Sequence, residues 1–114
     1  MTVEHVTSSD GSLRVLRATG ELDVLGVAPL LEQVPDLVKG ATAVVLDLSG
    51  VTFFDSSGVR LVDHLSRQCA ASGAGFRVVA PPGSRSRRVL ELVGMSDPLA
   101  EDDLDAALAS LRHL

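Results

Sequence analysis

Aromatic residues are almost absent from this chain. They make up 3% of its 114 residues, all of them Phe, with no Trp and no Tyr. That argues against a function that stacks bases or sugars on rings, and the core has to be built from Val, Leu and Ala. Cysteine is represented once, by Cys69. One thiol makes no intramolecular disulfide and no Cys-based zinc site, and its place on the apolar side of a predicted helix makes it a packed side chain. Long hydrophobic runs are missing too, so nothing here spans a bilayer as a helix. The opening Met1-Thr2-Val3-Glu4-His5 has neither the basic region nor the apolar stretch of a signal peptide. The expectation is a soluble cytoplasmic protein with no membrane partner. Positive charge is in deficit, with a net charge of −5. That field repels nucleic acid at long range and favours a protein partner with a basic face. The charge is uneven: a basic run, Arg85-Ser86-Arg87-Arg88, precedes an acidic stretch from Asp97 to Asp105. The plain reading of both is solvated helix ends.

Catalytic patterns are also missing. There is no G-x-S-x-G elbow, no Walker-type phosphate loop, no G-x-G-x-x-G and no H-E-x-x-H. His5, His64 and His113 are scattered without ligand spacing, so no metal is expected, and no cofactor either. A Ser57–His64–Asp55 triad fails on distance. Seven residues of helix separate Ser57 from His64 by about 10 Å, whereas a base must reach within about 3 Å of its nucleophile. The chain reads as a non-enzyme.

What is present is a regular alternation of elements. The length suits one domain, taken as 1–114, and hydrophobic residues at 46% can supply its core. Thr2 to Val6 and Leu13 to Ala18 read as strands joined by the Ser8-Ser9-Asp10-Gly11 turn. Gly20-Glu21-Leu22-Asp23 then breaks the second strand. Val27, Leu30, Leu31, Val34 and Val38 fall at helical spacing, with Pro35 predicted to kink or break that helix. Ala43 to Leu48 is a strand rich enough in apolar residues to be covered on both faces, ending at Ser49-Gly50. Leu61, Val62, Leu65 and Cys69 line a second helix, closed by Gly73. Phe76 to Ala80 is a strand, and Ser84 caps a short helix that stops at Gly94. Pro98 to Glu101 is a linker or a very short strand. Asp102 or Asp103 caps a last helix carrying Leu104, Ala107, Leu108 and Leu111. Such an order predicts an α/β fold: a mixed sheet of four to five strands with parallel crossovers and about four helices packed against it.

The densest feature is Phe53-Phe54-Asp55-Ser56-Ser57-Gly58, between a strand end and a helix start. A helix start offers unpaired N–H groups and the positive end of the dipole. Asp55 or Ser56 can serve simply as the cap. The same place also tolerates a phosphate ester on a serine hydroxyl. A group of about −1.5 to −2 charge there would burden a docked partner rather than the fold. On physical grounds either Ser56 or Ser57 qualifies.

The whole pattern resembles the STAS domain, and within it the bacterial anti-sigma factor antagonists of the SpoIIAA type. Gly20-Glu21-Leu22-Asp23 resembles the family's Gly-x-Leu-Asp turn, and Val44 to Val51 its central strand and exit. Phe54-Asp55-Ser56-Ser57-Gly58-Val59 resembles its phosphorylation turn, and Arg88-Val89-Leu90 with Gly94 its third-helix segment. Two phenylalanines before Asp55, and Pro35, depart from that pattern. The resemblance implies a SpoIIAA-like fold and a switch at Ser57, the hydroxyl residue before the glycine. It implies a partner surface of Asp23, Asp55, Ser56, Ser57 and Gly58. The implied partners are an anti-sigma factor with serine kinase activity, bound by the unphosphorylated form so that sigma factor is released, and a serine phosphatase. The competing reading is a STAS-like scaffold or regulatory subunit that works by protein–protein contact without phosphorylation.

Overall fold

A computed structural model describes residues 1–112. Five strands form one sheet in the order β1-β2-β3-β4-β5. They are β1 (Thr2–Thr7), β2 (Leu13–Leu22), β3 (Ala43–Phe54), β4 (Gly75–Val79) and β5 (Ala100–Glu101). β1 pairs antiparallel with β2, and every later pairing is parallel. The helices are α1 (Val24–Val38), α2 (Ser56–Ser72), α3 (Arg85–Leu92) and α4 (Leu104–Arg112). The predicted architecture is thus present, and the segment before Glu101 resolves into a short edge strand.

Sequential parallel strands joined by right-handed crossovers place all their helices on one face. The side chains agree. The larger core joins Leu16, Ala18, Leu46, Leu48 and Val78 of the strands to the inward faces of α1, α2 and α3. The opposite face carries the alternate strand residues Val15, Val45 and Val79, which pack with Ala107, Leu104, Leu108 and Leu111 of α4. Period-2 alternation along the strands therefore feeds two cores. The central run of β3, Val44 to Leu48, is buried throughout because both faces are covered there.

Three local readings are corrected. β2 does not break at Gly20; it continues to Leu22, with Gly20 at φ 95. β3 does not end at Ser49-Gly50 but runs on to Phe54. The register explains both. Arg17 faces Asp47 while Thr19 faces Gly50, and Gly20 faces Val51 while Glu21 faces Phe53. Each step leaves one extra residue on β3, so the strand carries two bulges. Its core-facing residues change from every second position to Leu48, Val51 and Phe54, three apart. The Asp47 side chain braces the first bulge by accepting from the Ser49 N–H at 2.9 Å. Gly50 is required there, because a Cβ would stand 2.5 Å from the Thr19 methyl.

The third correction concerns Pro35. α1 contains Pro29 and Pro35 and runs as one helix, so of the kink or break expected there the break does not occur. Both prolines are exposed, whereas Val27, Leu30, Val34 and Val38 are buried. The prolines thus stand on the exposed side of the helix, and the buried stripe holds it on the sheet. At its far end Arg14 of β2 donates to the Asp36 and Leu37 carbonyls at 3.1 and 2.9 Å, supplying donors the helix end lacks.

The caps follow the sequence closely. Ser84 Oγ accepts from the Arg87 N–H at 3.2 Å. Asp103 is the residue that caps α4, accepting from the Ala106 N–H at 2.8 Å. Gly73 closes α2 at φ 75. Cys69 is fully buried and free, and burial pushes its thiol up to about 11. The native protein should therefore resist iodoacetamide at pH 8 and react freely only after denaturation. Equal rates in both states, followed by mass spectrometry, would contradict this packing.

Candidate functional site

The site is assembled by the pairing of β2 with β3. Leu22 lies opposite Phe54 in the parallel register. The residues that follow them, Asp23 and Asp55, both leave the sheet at one edge and both cap a helix. The Asp23 carboxylate accepts from the Gly26 N–H at 2.9 Å and starts α1. The Asp55 carboxylate accepts from the Ser57 N–H at 2.9 Å and starts α2. Neighbouring strands are about 4.8 Å apart, so the two capped helix starts stand side by side. Asp23, Asp55, Ser56 and Ser57 thus follow the ends of neighbouring strands. Of the candidate caps Asp55 and Ser56, Asp55 does the capping.

Ser56 is exposed and Ser57 partly exposed, in the first turn of α2. Gly58 is buried. It belongs to the core side of the turn, and its reason for being glycine is steric. A Cβ at this position would stand 2.7 to 2.9 Å from three carbons of the Phe54 ring, and that ring is itself wholly buried. Phe54 and Gly58 are four residues apart, one preceding the helix and one in its first turn. The ring fills the space under the turn and so sets the height at which Ser57 is presented.

The basic run is more than a solvated helix end. Arg85 opens α3 and donates through Nε to the Phe54 carbonyl at 3.3 Å. Its guanidinium carbon lies 4.9 Å from the centre of the Phe53 ring, a cation–π arrangement worth about 0.5–1 kcal/mol at an exposed site. Arg87 donates to the Ala80 carbonyl at 2.8 Å and pairs with Asp102 at 3.1 Å. Charge-assisted bonds to fixed acceptors hold these side chains. Arg85 and Arg88 are both exposed, and of the three arginines only Arg88 makes none of these contacts. Sequence reasoning missed both phenylalanine contacts. The departing Phe53-Phe54 pair was the visible signal: one ring lies under Gly58 and the other under Arg85.

Beside this edge lies an open groove of ≈ 890 Å³, lined among others by Glu21, Asp23, Leu25, Pro29 and Thr52. Leu25 is 82% exposed and its neighbour Val24 66%, so apolar surface sits next to the two acidic caps. His5 lies on β1 and His64 on α2, and His113 is outside the described residues. Among the described residues no group of three or more His, Cys, Asp and Glu is placed to hold a metal ion. No helix among them is long and apolar enough to cross a membrane.

A sequential four-strand parallel run with an antiparallel first strand, three helices on one face and an acid-capped Ser-Ser-Gly turn describes one class of domain. Residues 5–109 match the family model described as "Mlab, STAS domain", and the chain belongs to the STAS domain family. It is 37% identical over 92 residues to the anti-sigma-F factor antagonist RsfB of Mycobacterium tuberculosis, covering 79% of this chain and 74% of that protein. The structure of the anti-sigma factor antagonist SpoIIAA in its unphosphorylated form superposes with a TM-score of 0.83 at 22% identity, covering 99% of this chain and 98% of that one. The Bacillus cell fate determinant SpoIIAA in the phosphorylated form gives 0.76 at 23% identity, covering 97% and 100%. These structural neighbours share the fold.

The glycine contact generates a direct test. Gly58→Ala should destabilise the protein by about 1–3 kcal/mol through overpacking, read by urea denaturation. Adding Phe54→Leu should relieve part of that loss, as contacting residues couple in a double-mutant cycle. Strictly additive losses would mean that the ring and the glycine do not meet.

Proposed function

We propose that this chain, acting as a single STAS domain over 1–114, is an anti-sigma factor antagonist switched at Ser57. Its unphosphorylated form binds an anti-sigma factor that is also a serine kinase, and so frees a sigma factor. The observation that carries the reading is the turn itself. Ser57 is partly exposed on the first turn of a helix that Asp55 already caps, at the edge where Asp23, Leu25 and the groove offer a contact surface. The identity to an anti-sigma-F factor antagonist over most of the chain supports it.

In the proposed cycle the kinase transfers the γ-phosphoryl group of ATP to Ser57 Oγ. The O–P bond to the serine forms, the bond to ADP breaks, and the hydroxyl proton is lost to a base of the kinase. A serine phosphatase uses water to return the hydroxyl and release inorganic phosphate. The domain supplies the acceptor and catalyses nothing itself. The new dianion acts on docking: if its repulsion and desolvation cost on the order of 3 kcal/mol in a packed contact, affinity falls by about two orders of magnitude. The fold is left alone, because the helix start is held by Asp55 and by Phe54 rather than by the serine hydroxyl.

Ser57→Asp should lose binding to the anti-sigma factor while its thermal midpoint stays within a degree or two of the parent. Ser57→Ala should bind but accept no phosphate from the cognate kinase with ATP, mapped by mass spectrometry. A cognate kinase that leaves Ser57 unmodified refutes the switch. Retained binding by both variants would instead point to a scaffold that works without phosphorylation.

A further inference from the structure

Resting on the reading of Ser57 as a phosphoacceptor, we propose that phosphoserine at position 57 is held in cis by Arg60, one turn along the same helix. The first reason is that the amide nearest the acceptor is already used. The N–H of Ser57 is donated to the Asp55 carboxylate at 2.9 Å, so a phosphoryl group on Ser57 arrives beside a fixed negative charge. The helix start then offers one amide fewer, and a side-chain cation adds to its counter-charge.

The second reason is placement. Residues three apart on a helix are neighbours, with Cβ atoms about 5–6 Å apart. Ser57 and Arg60 have that spacing. Gly58, Leu61, Val62, Leu65 and Cys69 define the buried face of α2, which leaves Arg60 on the exposed side together with Ser56 and Arg67. Arg67 is committed to Asp63 at 3.1 Å. Arg60 takes part in no ion pair among the described residues. An arginine that is exposed, unengaged and within reach of the acceptor matches the geometry of a phosphate oxygen pair, which its planar fork can meet with two bonds.

Other charged groups lie on the neighbouring elements. Asp55 and His64 lie on or beside α2, Glu21 and Asp23 come from the end of β2, and Arg85 and Arg88 come from α3. Arg85 is the other cation near the turn, and it is occupied by the Phe54 carbonyl and the Phe53 ring. The pairing has a functional consequence. Phosphorylation adds negative charge and at the same time removes Arg60 from the surface as a donor, so a partner that used Arg60 loses two features in one step.

The test uses the full chain with phosphoserine installed at position 57 by genetic-code expansion, which makes it independent of any kinase. The second ionisation of the phosphate is followed by ³¹P NMR. An Arg60 pair favours the dianion, so the midpoint in the parent should lie below that of Arg60→Gln by about 0.3 pH unit. Arg60→Lys should recover part of the difference, and about 1 M salt should erase it. Far-UV circular dichroism checks that each variant is folded. Midpoints that coincide within about 0.1 unit overturn the proposal. So does a shift produced by Arg85→Gln and not by Arg60→Gln. Failure of a cognate kinase to modify Ser57 would sink the switch reading while leaving this titration to be judged separately.

Discussion

The Phe54 ring is the contact on which the geometry of the turn depends. It closes β3, lies wholly buried, and fills the space beneath Gly58. The two bulges of β3 shift its phase twice, so Phe54 stays on the face of Leu48 and Val51 between them joins the same core. Once the ring is seated, the chain can leave the sheet in only a narrow way. Asp55 takes extended backbone, caps α2, and the next two serines face outward. The side chain that is presented and the side chain that anchors are three residues apart, and their roles are separated completely.

The same construction occurs next door. Leu22 ends β2 opposite Phe54, and Asp23 caps α1 as Asp55 caps α2. Parallel strands in sequential order force this repetition, since each crossover helix must begin at the same edge of the sheet. The outcome is an edge with two adjacent carboxylates, each already bonded to a backbone amide, beside exposed Val24 and Leu25. Such a surface combines fixed negative charge with apolar area, which suits a partner carrying basic residues and a hydrophobic face. α4 lies on the other side of the sheet and takes no part in it.

Much of this was legible in the sequence. Helical spacing from Val27 to Val38 and from Leu61 to Cys69 marked the two long helices, and the buried run at Val44 to Leu48 marked the doubly covered strand. The Ser84 cap and the Gly73 stop were also visible, because their chemistry is local. What the sequence concealed was non-local. A bulge shows up in the chain as a lost alternation, so Ser49-Gly50 looked like a strand end when it was an irregularity within a longer strand. Pro35 looked like a break because a helix pattern does not reveal how far tertiary burial compensates a missing donor. The two prolines sit on the wet side, and that side is known only after the sheet is in place. The basic run concealed most. Arg85 and Arg87 find carbonyls and a carboxylate supplied by other elements, and nothing in their own neighbourhood of the chain announces those partners.

The energetics of the turn explain how a surface modification there can leave the fold standing. An Asp cap contributes on the order of 1 kcal/mol. Two unit charges about 4 Å apart in water interact by about 1 kcal/mol as well. A phosphoryl group of about −1.5 to −2 charge near Asp55 therefore introduces a repulsion of about 1.5–2 kcal/mol, larger than the cap but of the same order. One arginine pair on the exposed helix face, worth about 0.2–0.5 kcal/mol, offsets part of it. The buried ring under Gly58 lies outside this exchange, since it carries no charge and its contacts do not depend on ionisation. Stability of the turn is thus assigned to apolar packing, while its electrostatics carry a small uncompensated repulsion. The approach of a second surface magnifies that repulsion, because desolvation strengthens every uncompensated term. Under the proposed switch, that division, with packing beneath and charge above, would make a docked state respond to a phosphate that the free domain accommodates.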